Sequence, residues 1–278
     1  MTMHVIDRNG HRHGDLSYLT IAAADPARAE AFYGALLGWA FGPGRYGRDQ
    51  GLQVIPQIGI YDGVRPDGSV ARGTLLCYRV RDIASAVERV RAGGGRASDP
   101  VERAYGLESL CTDNQAADDQ GADDQGADNQ GADDQRGTDF YLHELGDSPA
   151  PSSVDLTNGR QHGDAAYFTL GVSDLARAEQ FYGSVLGWTF QARTVPNGRQ
   201  IDGVTPMGGL WQDASGVHGE SPWRGATIAY RVDDIEQAVR RVRELGGTAD
   251  AAERRPYGLA SDHCVDDQGL RFSLLELG

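Results

Sequence analysis

Seven histidines, three cysteines and a run of paired aspartates are the side chains in this 278-residue chain whose types most readily do chemistry. The run, QAADDQGADDQGADNQGADDQ at 115–135, sets carboxylates close together, as hard cations and basic partner surfaces require. Its five-residue spacing, however, lacks the ligand order of an EF-hand loop. Cys77, Cys111 and Cys264 are too few and too scattered for a disulfide framework or a CxxC knuckle, and read as reduced thiols inside strands. The histidines are His4, His11, His13, His143, His162, His218 and His263. His13 and His162 recur in the same tripeptide, His-Gly-Asp, which is turn and capping chemistry more than ligand chemistry. All 26 basic residues are Arg, so Schiff-base chemistry and the GxxxxGK[ST] phosphate loop, both of which need a lysine, are excluded.

The net charge of −14 contains seven aspartates from 115–135, so the remainder carries −7. An acidic chain without a basic stripe repels phosphate, which argues against a nucleic-acid partner. No run of 18 apolar residues is present and MTMHVIDRNGHR lacks the apolar centre of a signal peptide, so the expectation is a cytoplasmic protein with no membrane partner.

Self-similarity organises the rest. HGDLSYLTIAAADPARAEAFYGALLGWAF (13–41) returns as HGDAAYFTLGVSDLARAEQFYGSVLGWTF (162–190), with 17 identities in 29 ungapped positions. CYRVRDIASAVERVRAGGG (77–95) returns as AYRVDDIEQAVRRVRELGG (229–247), and FYLHELG (140–146) as FSLLELG (272–278). Between the copies, DSPAPSSVDLTNGRQ reads as a linker. The expected organisation is therefore a first domain at 13–146, a linker at 147–161 and a second domain at 162–278.

Each half positions its side chains on the same elements. Alternation in SYLTIA predicts a half-buried strand, and Asp25-Pro26 predicts a helix start, with N-cap followed by Pro at N1. Ala29, Phe32, Tyr33 and Leu36 then fall on one helical face, and Gly38 is placed to end the helix in the left-handed conformation. Later in the half, Asp82 caps a helix that turns Ile83, Ala86, Val87 and Val90 inward before Gly93, Gly94 and Gly95 stop it. Short strands follow each helix, giving strand, helix, three strands, twice per half.

These residues carry a resemblance. A strand, then Asp-x-x-Arg-Ala-x-x-Phe-Tyr-x-x-x-Leu-Gly-Trp, and a last strand at FYLHELG or FSLLELG, resembles the vicinal oxygen chelate superfamily of glyoxalases, extradiol dioxygenases and fosfomycin- and bleomycin-resistance proteins. The resemblance implies an α+β fold of four βαβββ modules, paired into two domains that form an internal pseudodimer with two concave cavities. It also implies, for metal-using members, a divalent ion (Fe, Mn, Zn, Ni or Mg) held by the first strand of one half and the fifth and last strands of the other. Carried onto this sequence, those positions are Tyr18 and Tyr167, Leu75 and Thr227, and Tyr141 and Ser273. None is a His, Glu, Asp, Gln or Cys, so no metal or other cofactor is expected.

What remains for recognition is a set of aromatic and hydroxylic side chains: Tyr18, Thr20, Tyr141, His143, Tyr167, Thr169, Thr227, His263 and Ser273 on strands, and Trp211, Trp223, Tyr105 and Tyr257 on loops. His263, standing where the first half has Leu110, marks a difference between the cavities. Trp39 and Trp188, in Leu-Gly-Trp after a helix, are expected in the core. Three readings stay open: a metal-free binder of an aromatic or peptide-like small molecule, either a monomeric pseudodimer or a homodimer; a lyase, isomerase or ring-modifying enzyme using Tyr18, Tyr167, His143 or His263 as acid or base; and a scaffold whose cavities have decayed.

The second half explains the aspartate run. In CVDDQGLRFSLLELG the sequence Asp-Asp-Gln-Gly is a hairpin turn with Gly269 at positive φ, and the run repeats that turn as an insertion at about 116–136. Deleting Ala117–Gln135 is expected to leave the melting temperature and ligand affinity unchanged, because loop length costs little entropy. Loss of binding on deletion would instead make the run a lid over the first-half cavity.

Overall fold

The computed structural model describes residues 11–43, 49–52, 56–65, 68, 70–103, 105–115, 137–146, 159, 161–192, 197–212 and 225–278. The aspartate run after Gln115, Trp223, His4, His218 and nearly all of the expected linker lie outside these residues.

The first half runs β1 (Leu16–Ala22), α1 (Pro26–Leu37), β2 (Ala40–Pro43), β3 (Asp49–Leu52), β4 (Gln57–Tyr61), β5 (Gly73–Val80), α2 (Ile83–Ala92), β6 (Arg96–Ala97), β7 (Val101–Arg103), β8 (Gly106–Thr112) and β9 (Asp139–Leu145). The second repeats it as β10 (Ala165–Val172), α3 (Leu175–Leu186), β11 (Phe190–Ala192), β12 (Gly198–Ile201), β13 (Met207–Gln212), β14 (Gly225–Arg231), α4 (Ile235–Glu244), β15 (Thr248–Ala249), β16 (Glu253–Arg255), β17 (Gly258–Val265) and β18 (Arg271–Leu277). This is an α+β architecture. The later module of each half has four strands rather than the expected three, because β6 and β15 are separate two-residue pairings.

The helix ends follow from their caps. Asp25 and Asp82 accept from the amides of Arg28 and Ser85, and Gly38 closes α1 in the left-handed region at φ 70. The strands form one curved sheet per half. β1 lies between parallel β4 and antiparallel β5, then β5 pairs with β9 and β9 with β8. The second half repeats this around β10, β13, β14, β18 and β17. The two sheets meet where Thr74 pairs with Ala226. A register shift after Leu16, matched after Ala165, is a bulge that sends Leu16 and Leu19 to the helix-covered face and Tyr18 and Thr20 to the other.

The helix-covered faces of both sheets share one core, and α1 and α3 fill it reciprocally. Phe32 and Tyr33 of α1 pack edge-on against Phe272 of β18, at 6.1 and 5.9 Å between ring centroids. Phe181 and Tyr182 of α3 meet Phe140 of β9 at 6.3 and 6.1 Å. Each half's first helix is thus buried on the other half's second module. Trp39 and Trp188 are core side chains; each donates its indole N–H across the seam, to the carbonyls of Gly163 and Gly14 at 3.0 Å. The His-Gly-Asp turns work at the same seam. The His162 Nδ1 accepts from the Asp233 amide, which leaves Nε2 to donate to the Leu36 carbonyl at the end of α1, 3.2 Å away. His13 meets the Val185 carbonyl of α3 in the same way.

The hairpin tips complete the seam. Asp113 accepts from the Tyr182 hydroxyl of α3 (2.7 Å) and from the Gln115 and Thr138 amides, while the Gln115 side chain accepts from the Ser173 and Asp174 amides where α3 begins. In the second half Asp266 accepts from Tyr33 of α1 (3.1 Å), and Gln268 brackets Asp25. The Asp-x-Gln turn is a docking element as well as a turn.

Burial pushes the Asp113 carboxyl up to about 6, against the lowering effect of its hydroxyl and amide donors. A carboxylate whose folded pKa is raised contributes stability that is full below the unfolded value near 3.8 and is lost as pH rises through 6. The wild type is expected to lose about 2–3 kcal/mol from this group over that window. Urea unfolding at intervals from pH 4 to pH 7 should show that Asp113→Asn lacks this loss, and parallel pH profiles for the two proteins would contradict it.

Candidate site on the concave faces

The faces opposite the core are where the sequence placed its candidates, and they divide between two concavities rather than meeting in one. β1, β5 and β9 are neighbours in one sheet, with Tyr18 opposite Cys77 and Cys77 opposite Tyr141. The expectation that first-strand residues of one half join fifth- and last-strand residues of the other is therefore corrected. Tyr18, Thr20, Tyr141 and His143 line the first half; Tyr167, Thr169, Thr227, Ser273 and Trp211 line the second. Trp211 sits on β13, not on a loop.

The shared frame includes a seat for each first-strand tyrosine. A Cβ on Gly59 or Gly209 would lie 2.3 Å from the Tyr18 or Tyr167 hydroxyl, so each phenol lies across a glycine of the neighbouring strand. The Tyr167 hydroxyl donates to Gln200 Oε1 at 3.1 Å, a partner that no sequence signal singled out.

The first concavity fills itself. Leu75, Cys77, Tyr61, Ala71 and Tyr141 form a buried cluster against Tyr18 and Leu110. Beside it lies a polar end of Arg79, His143 and Glu108, with His143 paired in register to both of the others. The Tyr105 ring stands edge-on to His143 at 4.9 Å, and its hydroxyl donates to Glu108. Burial and then the Arg79 guanidinium depress His143 to about 3, so its ring is neutral at physiological pH. Neither Arg79 nor Glu108 was anticipated, since nothing local to either residue signals its neighbours.

At the matched positions of the second half the register gives Thr227 for Leu75, Ala229 for Cys77, Ser273 for Tyr141, Ala260 for Glu108 and Leu275 for His143. Tyr167, Thr169, Thr227, Ala229 and Ser273 are all partly exposed, whereas Thr20, Leu75, Cys77 and Tyr141 are buried. His263 is exposed on a bulge that adds one residue to β17 between Ser261 and Cys264, so two residues, Asp262 and His263, stand where the first half has Leu110. Ser273 donates to the Asp262 carbonyl of that bulge at 2.9 Å, and Tyr257 stands half-exposed at the rim.

Comparison with known proteins places this geometry. Residues 165–274 match the model of the Glyoxalase/Bleomycin resistance protein/Dioxygenase superfamily. The second half belongs to that superfamily. No curated protein matches the chain. Among solved structures, the 2,3-dioxygenase LapB from Pseudomonas sp. KL28 superposes with a TM-score of 0.59 at 12% identity, covering 96% of this chain and 92% of that one. The 2,2',3-trihydroxybiphenyl 1,2-dioxygenase of Sphingomonas wittichii strain RW1 gives 0.57 at 15%, covering 95% and 90%. The Mn(II)-bound glyoxalase from Novosphingobium aromaticivorans gives 0.61 at 12%, covering 95% and 82%. At identities this low the likeness is one of fold, shared over nearly the whole chain.

The superfamily's metal does not fit the side chains found here. The ligand positions hold Tyr18, Leu75 and Tyr141 in one concavity and Tyr167, Thr227 and Ser273 in the other, and among the described residues no three His, Cys, Asp or Glu side chains gather. The three cysteines are free and buried, with burial raising each thiol's pKa. No described helix is long and apolar enough to cross a membrane. Mn(II), Fe(II), Zn(II), Ni(II) or Mg(II) in about tenfold excess is expected to leave the melting temperature unchanged. A rise of several degrees with any of them would show a site that this donor set lacks.

Proposed function

We propose that the two halves are tandem domains and that the second binds a small, uncharged aromatic or peptide-like molecule on its concave face, against Tyr167 and Trp211. One observation carries this reading: three fillers of the first concavity, Leu75, Cys77 and Tyr141, are replaced in register by the smaller Thr227, Ala229 and Ser273, all three partly exposed. The second face keeps its aromatic wall and its hydroxyls while giving up the bulk between them, the combination of apolar lining and few polar groups that orients a small ligand. Sequestering or carrying that molecule needs no metal, in keeping with the donor set.

A second reading, catalysis by a lyase, isomerase or ring-modifying enzyme, draws support from the superfamily match and from structural neighbours whose names are those of dioxygenases and a glyoxalase. Those comparisons favour catalysis more directly than binding alone, whereas the missing donors favour binding. In a catalytic version the Tyr167 hydroxyl, oriented by Gln200, is the acid placed inside the concavity.

Thermal shift against uncharged aromatic and dipeptide compounds tests the reading. A binder should raise the melting temperature with ligand concentration by mass action and be recovered chemically unchanged. Thr227→Tyr, which restores bulk, should weaken that ligand by about tenfold or more, while Leu75→Val in the first half should not. Conversion of the ligand would transfer the assignment to the enzyme reading. Equal effects of the two variants would remove the second concavity from consideration.

A further inference from the structure

Three of the chain's indoles can be compared, and one of them keeps an unanswered N–H. Trp39 and Trp188 donate to the carbonyls of Gly163 and Gly14 at 3.0 Å. The Nε1 of Trp211 is shut off from solvent and has no hydrogen-bond partner, although the residue as a whole is partly exposed. An indole N–H can only donate, and a buried donor left unmade is costly.

The strands around Trp211 carry glycine at its level. Trp211 pairs with Gly198 of β12 on one side and Gly171 of β10 on the other, and Gly171 pairs in turn with Gly225 of β14. Alternate residues of a strand share a face, so Trp211 lies on the concave side with Gly209, the seat of the Tyr167 phenol, while Leu210 between them enters the core. Glycine inside a strand marks a place where another group approaches the backbone closely. A Cβ built on Gly225 would meet no atom within 4 Å, so the row is open at that end. At the matched level of the first half stand Tyr61, Ala22 and Gly73, and there Tyr61 and Ala22 are buried with Leu75 and Tyr141.

We infer that the Trp211 indole N–H is the orienting donor of the second concavity, and that the ligand presents it a carbonyl oxygen from the edge of a flat ring lying along the glycine row. This rests on the second concavity being the binding face. A flat ring suits the row because no side chain holds it off the sheet. Binding turns the partly exposed indole enough to bring its N–H to the oxygen, and a donor shielded from water gives a bond with which solvent does not compete. Arg271, two residues before Ser273 on β18, shares this face, and its positive charge favours the same electron-rich oxygen.

The probes are acetophenone and α-methylstyrene, flat isosteres that differ by C=O against C=CH2. Affinities are read by NMR titration on the full chain, following the indole N–H proton that Trp211→Phe removes from the spectrum. Acetophenone is expected to bind wild type about fivefold tighter than α-methylstyrene, the net worth of one hydrogen bond, and to move that proton downfield. Trp211→Phe keeps an aromatic ring and loses the donor. It should bring the two probes within about twofold of each other and leave α-methylstyrene within about twofold of its wild-type affinity.

Equal affinity of the two probes for wild type overturns the inference, as does an acetophenone preference that survives Trp211→Phe. If Thr227→Tyr still abolishes binding of both probes in either case, the donor is wrong and the second concavity stands. Binding of neither probe at millimolar concentration also overturns the inference. Should both bind and Thr227→Tyr change nothing, the underlying assignment of the concavity fails with it.

Discussion

Everything in this molecule depends on α1 and α3 burying their aromatic faces on the sheet of the opposite half. Phe32, Tyr33, Phe181 and Tyr182 are fully enclosed, and the partners of both pairs lie more than 200 or about 40 residues away in sequence, on β18 and β9. Separating the halves would expose four aromatic side chains, each worth roughly 1.5–3 kcal/mol of burial. It would also strip Asp113 and Asp266 of the hydroxyl donors that their buried carboxylates use. The seam is specified twice, once by apolar area and once by hydrogen bonds that tolerate only one alignment: carboxylate to phenol, indole to glycine carbonyl, imidazole to helix end.

That constraint explains how the two copies diverged. On the core side the repeat has hardly changed: Tyr78 and Tyr230, Phe140 and Phe272, and Trp39 and Trp188 remain the same residue types, because each is packed on all sides by the reciprocal helix and the neighbouring strands. The concave sides face no such partner. There Leu75 and Thr227, or Glu108 and Ala260, can differ without disturbing the seam, and each face has its own smaller buried cluster.

The charged groups fit the same division. His143 and Arg79 lie buried at the polar end of the first concavity, where burial holds the imidazole neutral and Tyr105 covers it. The second half keeps the matching arginine, Arg231, beside Leu275, and carries further charges on Glu253, Arg255 and Asp262. The aspartate run lies outside the described residues, but the tip from which it departs does not: Asp113 and Gln115 are the docking pair that holds α3. The acidic repeat therefore begins directly after the residues that fix the two halves together.

The sequence by itself determined whatever depends on neighbours a few residues apart. The caps at Asp25 and Asp82, the left-handed end at Gly38, the inward faces of α1 and α2, the turn glycine at Gly269 and the repeat itself follow from helical period, capping chemistry and ungapped identity. Tertiary structure decided what those elements meet. Only the fold shows that His13 and His162 cap helices of the opposite half, that Trp211 belongs to a strand, and that the candidate residues divide between two sheets. These facts rest on contacts spanning some 60 to 240 residues, set by how two sheets share a core, and no local pattern encodes them.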